Sequence, residues 1–237
     1  MKLKFIKRFF HKTIAKQLRK PEGILAGKVG NKMNKTNGFL YDFTIQETQL
    51  KDHESILEIG FGNGKFFDKI FSTAQGLKIS GLDYSPEMVK AATANNPTSL
   101  SIGKLILRSG SSDKIPFADE SFDKVFCINV IYFWDKPAAH LKEIYRVLKP
   151  GGRFYTAIRT QESITQMPFA KYGFNIYAED EWISLLETNL LHFVHSEKTQ
   201  NEPDAVLDKQ IYKVESLCIV AEKSDNNCTF HLLTKGS

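Results

Sequence analysis

Ile56-Leu57-Glu58-Ile59-Gly60-Phe61-Gly62-Asn63-Gly64 runs from an apolar stretch of strand length, Ser55–Ile59, into three glycines at alternate positions. A helical pattern over about 65–74 follows. Glycine is required where a chain turns sharply, and where backbone must approach a ligand with no side chain between. The helix beyond such a turn points free N–H groups at a negative group. The spacing is GxGxG. A dinucleotide fingerprint needs glycine at 65, where Lys65 stands, and the GK[ST] ending of a Walker A loop is absent. Glu58 brings a carboxylate to the strand's C-terminal end. A second acid, Asp83, ends the next strand-like run in Gly81-Leu82-Asp83-Tyr84-Ser85-Pro86, 23 residues after Gly60. That is near the spacing at which an acid reaches ribose hydroxyls. A carboxylate can accept from both vicinal hydroxyls at once.

Outward from this loop, strand-like and helical segments alternate. Runs at 77–82, 104–107, 122–130 and 153–158 read as strands. Helices are expected over about 65–74, over 86–95 with Ser85 as N-cap and Pro86 at the first helical position, and over about 136–148, stopped by Pro150-Gly151-Gly152. Such alternation predicts an α/β fold, a parallel sheet with helices on both faces. An aromatic connection, 167–177, a helix near 179–189 and strand-like runs at 191–198 and 214–222 follow. A tail rich in Asp, Asn and Ser closes the chain. Upstream, Leu3, Ile6, Phe10, Ile14 and Leu18 recur at three- and four-residue steps and predict an amphipathic helix over the first twenty residues, ended by Pro21 and Gly23. Residues 24–52, with Gly27, Gly30, Gly38 and three asparagines, read as loop-rich with a helix over roughly 39–50.

Charge is uneven along the 237 residues. The formal net charge is +5, from 32 basic and 27 acidic side chains, yet residues 1–20 carry eight Lys or Arg and no acid. The remainder is therefore mildly acidic, at −3. The longest uncharged apolar stretch, Val125 to Trp134, is about half a membrane span. Lys7 and Arg8 interrupt the apolar residues of the start, so no signal-peptide core is expected. Three cysteines without a CxxC argue against a disulfide scaffold or zinc site and favour a reducing, cytoplasmic compartment. His192 and His195, three apart on a predicted strand, should face opposite ways, and no metal site is expected. Cys127, in mid-strand, reads as a small core residue.

EIGFGNG, residues 58–64, resembles the E/D-x-G-x-G-x-G motif of class I S-adenosylmethionine-dependent methyltransferases. GLDYSPEMV (81–89), IPFADESFDKVFCINVIYFW (115–134) and HLKEIYRVLKPGGRFY (140–155) resemble further blocks of the small-molecule branch, which includes ubiquinone- and menaquinone-biosynthesis enzymes. KPEGILAGKVGNKMNKTN (20–37) is similar to the lead segment of some bacterial members. The resemblance is strong over roughly 55–160. It implies a Rossmann-like seven-stranded sheet, mostly parallel with an antiparallel last strand, and S-adenosyl-L-methionine as cofactor. It further implies that Glu58, Gly60, Phe61, Gly62 and Gly64 hold the methionine part, Asp83 the ribose and Tyr84 the adenine. Asn129 would lie beside the methionine. Relatives often carry an acid five residues before the proline of the third block. Here that position is Ser111, so Ser111 and Ser112 become the adenine contacts, with Asp113 as another option.

The chemistry implied is in-line methyl transfer to a small molecule, for which positioning and desolvation matter more than a particular base. Asn129, Tyr132, His140 and Tyr172 are the catalytic candidates, against plainer readings as packing or helix-face residues. The aromatic connection fits a ring-bearing or apolar acceptor, or a lid that excludes water. The basic helix has three readings: a cap over the site, a contact with an anionic membrane surface at the periphery, or a nucleic-acid contact, which the acidic body disfavours. The expected organisation is a lead segment, 1–52, a cofactor-binding domain, 53–223, and a polar tail, 224–237. A cofactor-binding or membrane-associated interaction protein of this fold without methyl transfer is the alternative.

Overall fold

The structure, a computed structural model, describes residues 2–23, 26–207 and 209–224. In chain order the elements are α1 (Lys2–Arg19), α2 (Ala26–Thr48), β1 (Ser55–Ile59), α3 (Phe67–Phe71), β2 (Lys78–Asp83), α4 (Pro86–Asn95), α5 (Pro97–Ser101), β3 (Leu105–Ser109) and β4 (Phe122–Ile128). They continue with α6 (Pro137–Val147), β5 (Leu148–Arg159), α7 (Gln161–Thr165), α8 (Glu179–Thr188), β6 (Leu191–Lys198), β7 (Ala205–Leu207), β8 (Gln210–Tyr212) and β9 (Ser216–Lys223).

Seven strands form one sheet in the order β3-β2-β1-β4-β5-β9-β6. The last strand of the chain, β9, runs antiparallel to both its neighbours. The inner strands β1, β4, β5 and β9 are buried on both faces, as a sheet covered on both sides requires, whereas the edge strands β3 and β6 are exposed along much of their length. On β4, Val125 and Cys127 face one core and Phe126 and Ile128 the other. α6, α7 and α8 cover the first face with Leu141, Ile144, Ile164, Trp182 and Leu186. α2, α3 and α4 cover the second with Leu40, Tyr41, Ile45, Phe67, Ile70 and Ala92. Cys127 and Cys218 are free and buried in these layers.

Most expected elements lie within a few residues of their observed places. Ser85 caps α4 as expected, accepting the Met88 N–H at 3.3 Å, with Pro86 in the first turn. Four differences are informative. Residues 26–48 are one continuous helix, not a loop with a short helix at 39–50. Its glycines and asparagines are compatible with helix because its buried side packs against the sheet. α2 contributes Leu40, Tyr41 and Ile45 to the main core, so residue 52 marks no boundary between separate cores. β5 begins at Leu148, ahead of the Pro-Gly-Gly turn, and absorbs that turn as an irregularity in its pairing with β4. β7 and β8 form a separate two-stranded hairpin. An irregularity between Phe193 and His195 on β6 leaves both histidines opposite β9 residues of equal parity, Glu222 and Val220. His192 and His195 therefore share a face, because an extra residue in a strand reverses the alternation. They turn to different carboxylates, Glu187 and Glu47. Nearly all of the polar tail, 225–237, lies outside the described residues.

Candidate active site

The chain leaves β1 toward β2 and β3 on one side and returns to β4 on the other. The crevice between the C-terminal ends of β1 and β4 is thus a switch point, where ligands bind in open α/β sheets. Gly60, just beyond β1, has φ +80°, and a Cβ there would stand 2.4 Å from Cγ2 of Val130, just beyond β4. The two loops touch at this point. Gly62 has φ +60°, and a Cβ there would meet nothing within 4 Å. It faces open space. The Asp83 carboxylate, at the end of β2, accepts the Gly62 N–H and the Ser85 N–H, each at 2.8 Å. Burial raises its pKa to about 6, against the pull of those two amides. Each oxygen keeps further acceptor capacity.

α2 is tied to the glycine loop by asparagines. Asn34 donates to Asn63 Oδ1 at 3.0 Å, and Asn63 donates to Asn31 Oδ1 at 3.3 Å. One turn further along, Asn37 Oδ1 accepts from Asn129 at 3.3 Å. Asn129 stands at the end of β4 with φ +57°, and its Oδ1 is buried with no partner among the described residues. Below the loop, Glu58 is buried on the α2 side of the sheet. Desolvation, and then the neighbouring Asp83, push its carboxyl well above the ordinary range.

Above these groups lies a cavity of about 850 Å³. Gly60, Gly62, Asp83, Tyr84, Ser111, Ser112 and Asn129 line one side. Met33, Phe133, Ile164, Met167, Phe169, Phe174 and Leu207 make the rest largely apolar. α1 roofs it with Thr13, Ile14, Gln17 and Leu18. The roof is fastened at its C-terminal end: Arg19 pairs with Asp135 at 2.6 Å, Ser85 Oγ donates to the Pro21 carbonyl, and the Lys20 ammonium lies 5.0 Å from the Tyr84 ring centroid. Of the three readings of the basic helix, the cap is the one this placement displays.

A family profile described as "Methyltransferase domain" matches residues 57–156. The Bacillus subtilis uncharacterized methyltransferase YdaC is 30% identical over 141 residues, which cover 59% of this chain and 74% of that protein. The chain belongs to the class I S-adenosylmethionine-dependent methyltransferases. The Geotalea daltonii ubiquinone/menaquinone biosynthesis C-methyltransferase UbiE is 33% identical over 112 residues, 47% of this chain and 48% of that protein. The chain spans about half or less of the length of several other curated relatives as well. A chain from the Haloferax volcanii complex of the Trm112 methyltransferase activator shares the fold, with a TM-score of 0.74 at 22% identity, covering 84% of this chain and 96% of that one.

The residues of this methyltransferase fit its cofactor, S-adenosylmethionine. The open cradle at Gly62 admits a ligand against bare backbone. Asp83 offers acceptor capacity for a ribose, and the orphaned Asn129 Oδ1 offers an acceptor for an ammonium. Among the described residues, no cluster of His, Cys, Asp and Glu is arranged to hold a metal ion.

Seven of the ten expected cofactor residues share the cavity wall. Glu58, Phe61 and Gly64 do not. The Phe61 ring is turned into the core against Phe67, and it crowds Gly81. Gly64 is packed against Ala92 and Asn96 of the neighbouring helix and cap. These three support the loop from behind. Of the catalytic candidates, Tyr132 lines the cavity, but its hydroxyl accepts the Arg159 N–H at 2.8 Å and donates to the Arg159 carbonyl at 3.2 Å. Burial raises that phenol well above its ordinary range. Tyr172 lies off the cavity, its ring 5.8 Å from the Lys12 ammonium of the cap. His140 Nδ1 is 2.7 Å from Ser112 Oγ, and its ring stacks on Trp134 at 4.6 Å. Burial lowers its pKa, opposed by Asp113 and Asp135.

Sequence reasoning missed two features of the wall. The asparagine ties were legible in principle, since Asn31, Asn34 and Asn37 recur every third residue and so stay near one side of a helix. Arg159 closes β5 and lines the cavity. It is ion-paired with Glu202 and donates to Ser216 Oγ at 2.9 Å and the Thr36 carbonyl at 3.2 Å. A cation at the end of a core strand was its only signal.

Proposed function

We propose that this chain methylates a small apolar, ring-bearing molecule in the cytoplasm, at the periphery of an anionic membrane. The observation that carries the acceptor reading is the composition of the cavity. Its volume, about 850 Å³, is near the top of the range of about 300–1,000 Å³ for ligand pockets. Polar cofactor groups gather on one side, and aromatic and aliphatic side chains dominate the remainder, with Arg159 and the α2 residues Lys28, Lys32 and Thr36 among them. Relatives named for ubiquinone/menaquinone biosynthesis and for demethylmenaquinone methylation are consistent with a ring-bearing acceptor.

In this reading Gly60 and Gly62 present bare backbone to the cofactor, Asp83 accepts from the ribose, and Tyr84, Ser111 and Ser112 flank the adenine. Asn129 Oδ1 accepts from the methionine ammonium. Bound S-adenosylmethionine supplies a methyl group already activated on a sulfonium. The protein's role is then to align the acceptor and exclude water. Phe133, Phe169 and Phe174 hold the acceptor ring, and α1 closes the roof. Tyr132 is tied to backbone and Asn129 has no basic site, so neither takes a proton. His140 is a positioning residue that orients Ser112.

The test is production of S-adenosylhomocysteine by the intact protein with a panel of quinols, phenols and polar amines. Acceptor-dependent turnover confined to the apolar ring compounds is expected. Turnover with polar amines alone, or none by protein that binds S-adenosylmethionine, would overturn the reading.

A further inference from the structure

From Ile6 onward α1 carries one apolar stripe, but the body covers only a portion of it. Ile14 and Leu18 line the cavity, whereas Ile6, Phe9 and Phe10, one to three turns earlier, are 61%, 68% and 48% exposed. A helix that served only as a roof would need no apolar side chains on its overhang. A second, separate element repeats the pattern. In the β7–β8 hairpin, Val206 stands opposite Ile211, and they are 65% and 70% exposed. Directly opposed residues point to the same face, so the hairpin presents an aliphatic pair outward. Phe10 and Val206 each line the cavity and also face outward, which places both exposed apolar groups at its mouth.

On α1 itself the charges have one sign. Lys7, Arg8, Lys12 and Lys16 are exposed, and residues 1–20 hold no acid. Arg8, Lys12 and Lys16 are four apart and form a basic stripe beside the apolar one. Apolar and cationic stripes side by side are the pattern of a helix that lies in a lipid interface. The rest of the chain, at −3, is repelled by an anionic surface, so attraction is confined to the end that bears α1.

We infer that the overhang of α1 and the β7–β8 hairpin together form a rim that docks on an anionic bilayer and sets the cavity mouth against the lipid. An apolar acceptor dissolved in the bilayer then passes from lipid to cavity between Phe10 and Val206 without crossing water. The docking stands on the rim's own residues, whereas this route rests on the apolar-acceptor reading above.

The experiment is co-sedimentation of the full chain with vesicles of equal parts phosphatidylglycerol and phosphatidylcholine, and with phosphatidylcholine alone. Binding to the anionic vesicles at low salt, weakened by high salt, is expected. Phe9→Ser and Ile211→Ser, neither of which lines the cavity, should each lower partitioning about tenfold or more. Lys7→Gln with Arg8→Gln should do the same on anionic vesicles only, by about tenfold. Calorimetric binding of S-adenosylmethionine, unchanged in all three variants, shows that they are folded. Absence of vesicle binding overturns the inference. So does an effect at Phe9 with none at Ile211, or binding to single-stranded RNA in place of vesicles. Vesicle binding without turnover of apolar acceptors would count against the acceptor reading alone. Turnover without vesicle binding would count against docking alone.

Discussion

Gly60 and Gly62 both sit at positive φ in one loop, yet alanine at the two positions should fail in different ways. Either substitution forces an L side chain into the left-handed region, at about 1–2 kcal/mol. At Gly62 the added methyl meets nothing within 4 Å, so backbone strain is the whole cost to the fold. For a chain of this size that lowers the thermal midpoint by about 2–8 °C. The methyl does occupy the open space beside Asp83 and Tyr84, where the cofactor lies in our reading. Overpacking of about 1–3 kcal/mol falls on the complex alone and weakens binding roughly 5- to 150-fold. At Gly60 the methyl stands 2.4 Å from the Val130 side chain. The same overpacking now falls on the folded protein with or without ligand, and the midpoint drops about twice as far. Differential scanning calorimetry and titration calorimetry with S-adenosylmethionine on both variants separate the two effects. If Gly62→Ala binds the cofactor as the parent does, the cofactor does not rest against that backbone and the reasoning fails.

Asp83 should make stability and cofactor binding respond to pH in opposite directions. Its folded pKa of about 6 lies above the ordinary 3.8, so its contribution to stability is full below about pH 4 and is lost as pH rises through 6. That loss amounts to about 3 kcal/mol. A ribose needs the ionised form as acceptor, so the Kd for S-adenosylmethionine falls over the same window. Asp83→Asn should flatten the Kd curve and make the stability curve shallower, since Glu58, also raised by burial, keeps its own slope, and a Kd that still tightens through pH 6 in that variant assigns the effect elsewhere. Tyr132→Phe strands the Arg159 N–H and should cost about 1–3 kcal/mol in chemical denaturation while leaving cofactor affinity unchanged. A matching loss of affinity would show that the hydroxyl reaches the ligand. Asn63→Ala cuts the loop from Asn31 and Asn34, and amide exchange across residues 60–64 should speed up. Unaltered exchange would mean that the asparagine ties do not hold the loop.

The core of the fold was legible because its signals are local. The strand before Gly60, the cap at Ser85 and the helix at 137–147 each rest on neighbours in the chain. A mostly parallel sheet with an antiparallel last strand followed from alternation and resemblance. Asp83 was legible as a ligand group from one spacing, and the structure adds that its carboxylate also braces the Gly62 amide. α2 was misread because glycine and asparagine weigh against helix in isolation. Burial of Leu40, Tyr41 and Ile45 against the sheet, and the ties to Asn63 and Asn129, override that preference.

From residues 55–160 alone come the α/β class, the family and its cofactor, because a glycine loop and a spaced acid are demands of backbone geometry written at short range. The wall of the acceptor space could not be read that way. It gathers α1, α2, the aromatic connection, Arg159 and the β7–β8 hairpin, which lie as much as 200 residues apart. Long-range packing brings these segments to one mouth. That packing also turns the basic helix from a charged appendage into the roof of a site, with its apolar overhang left facing outward.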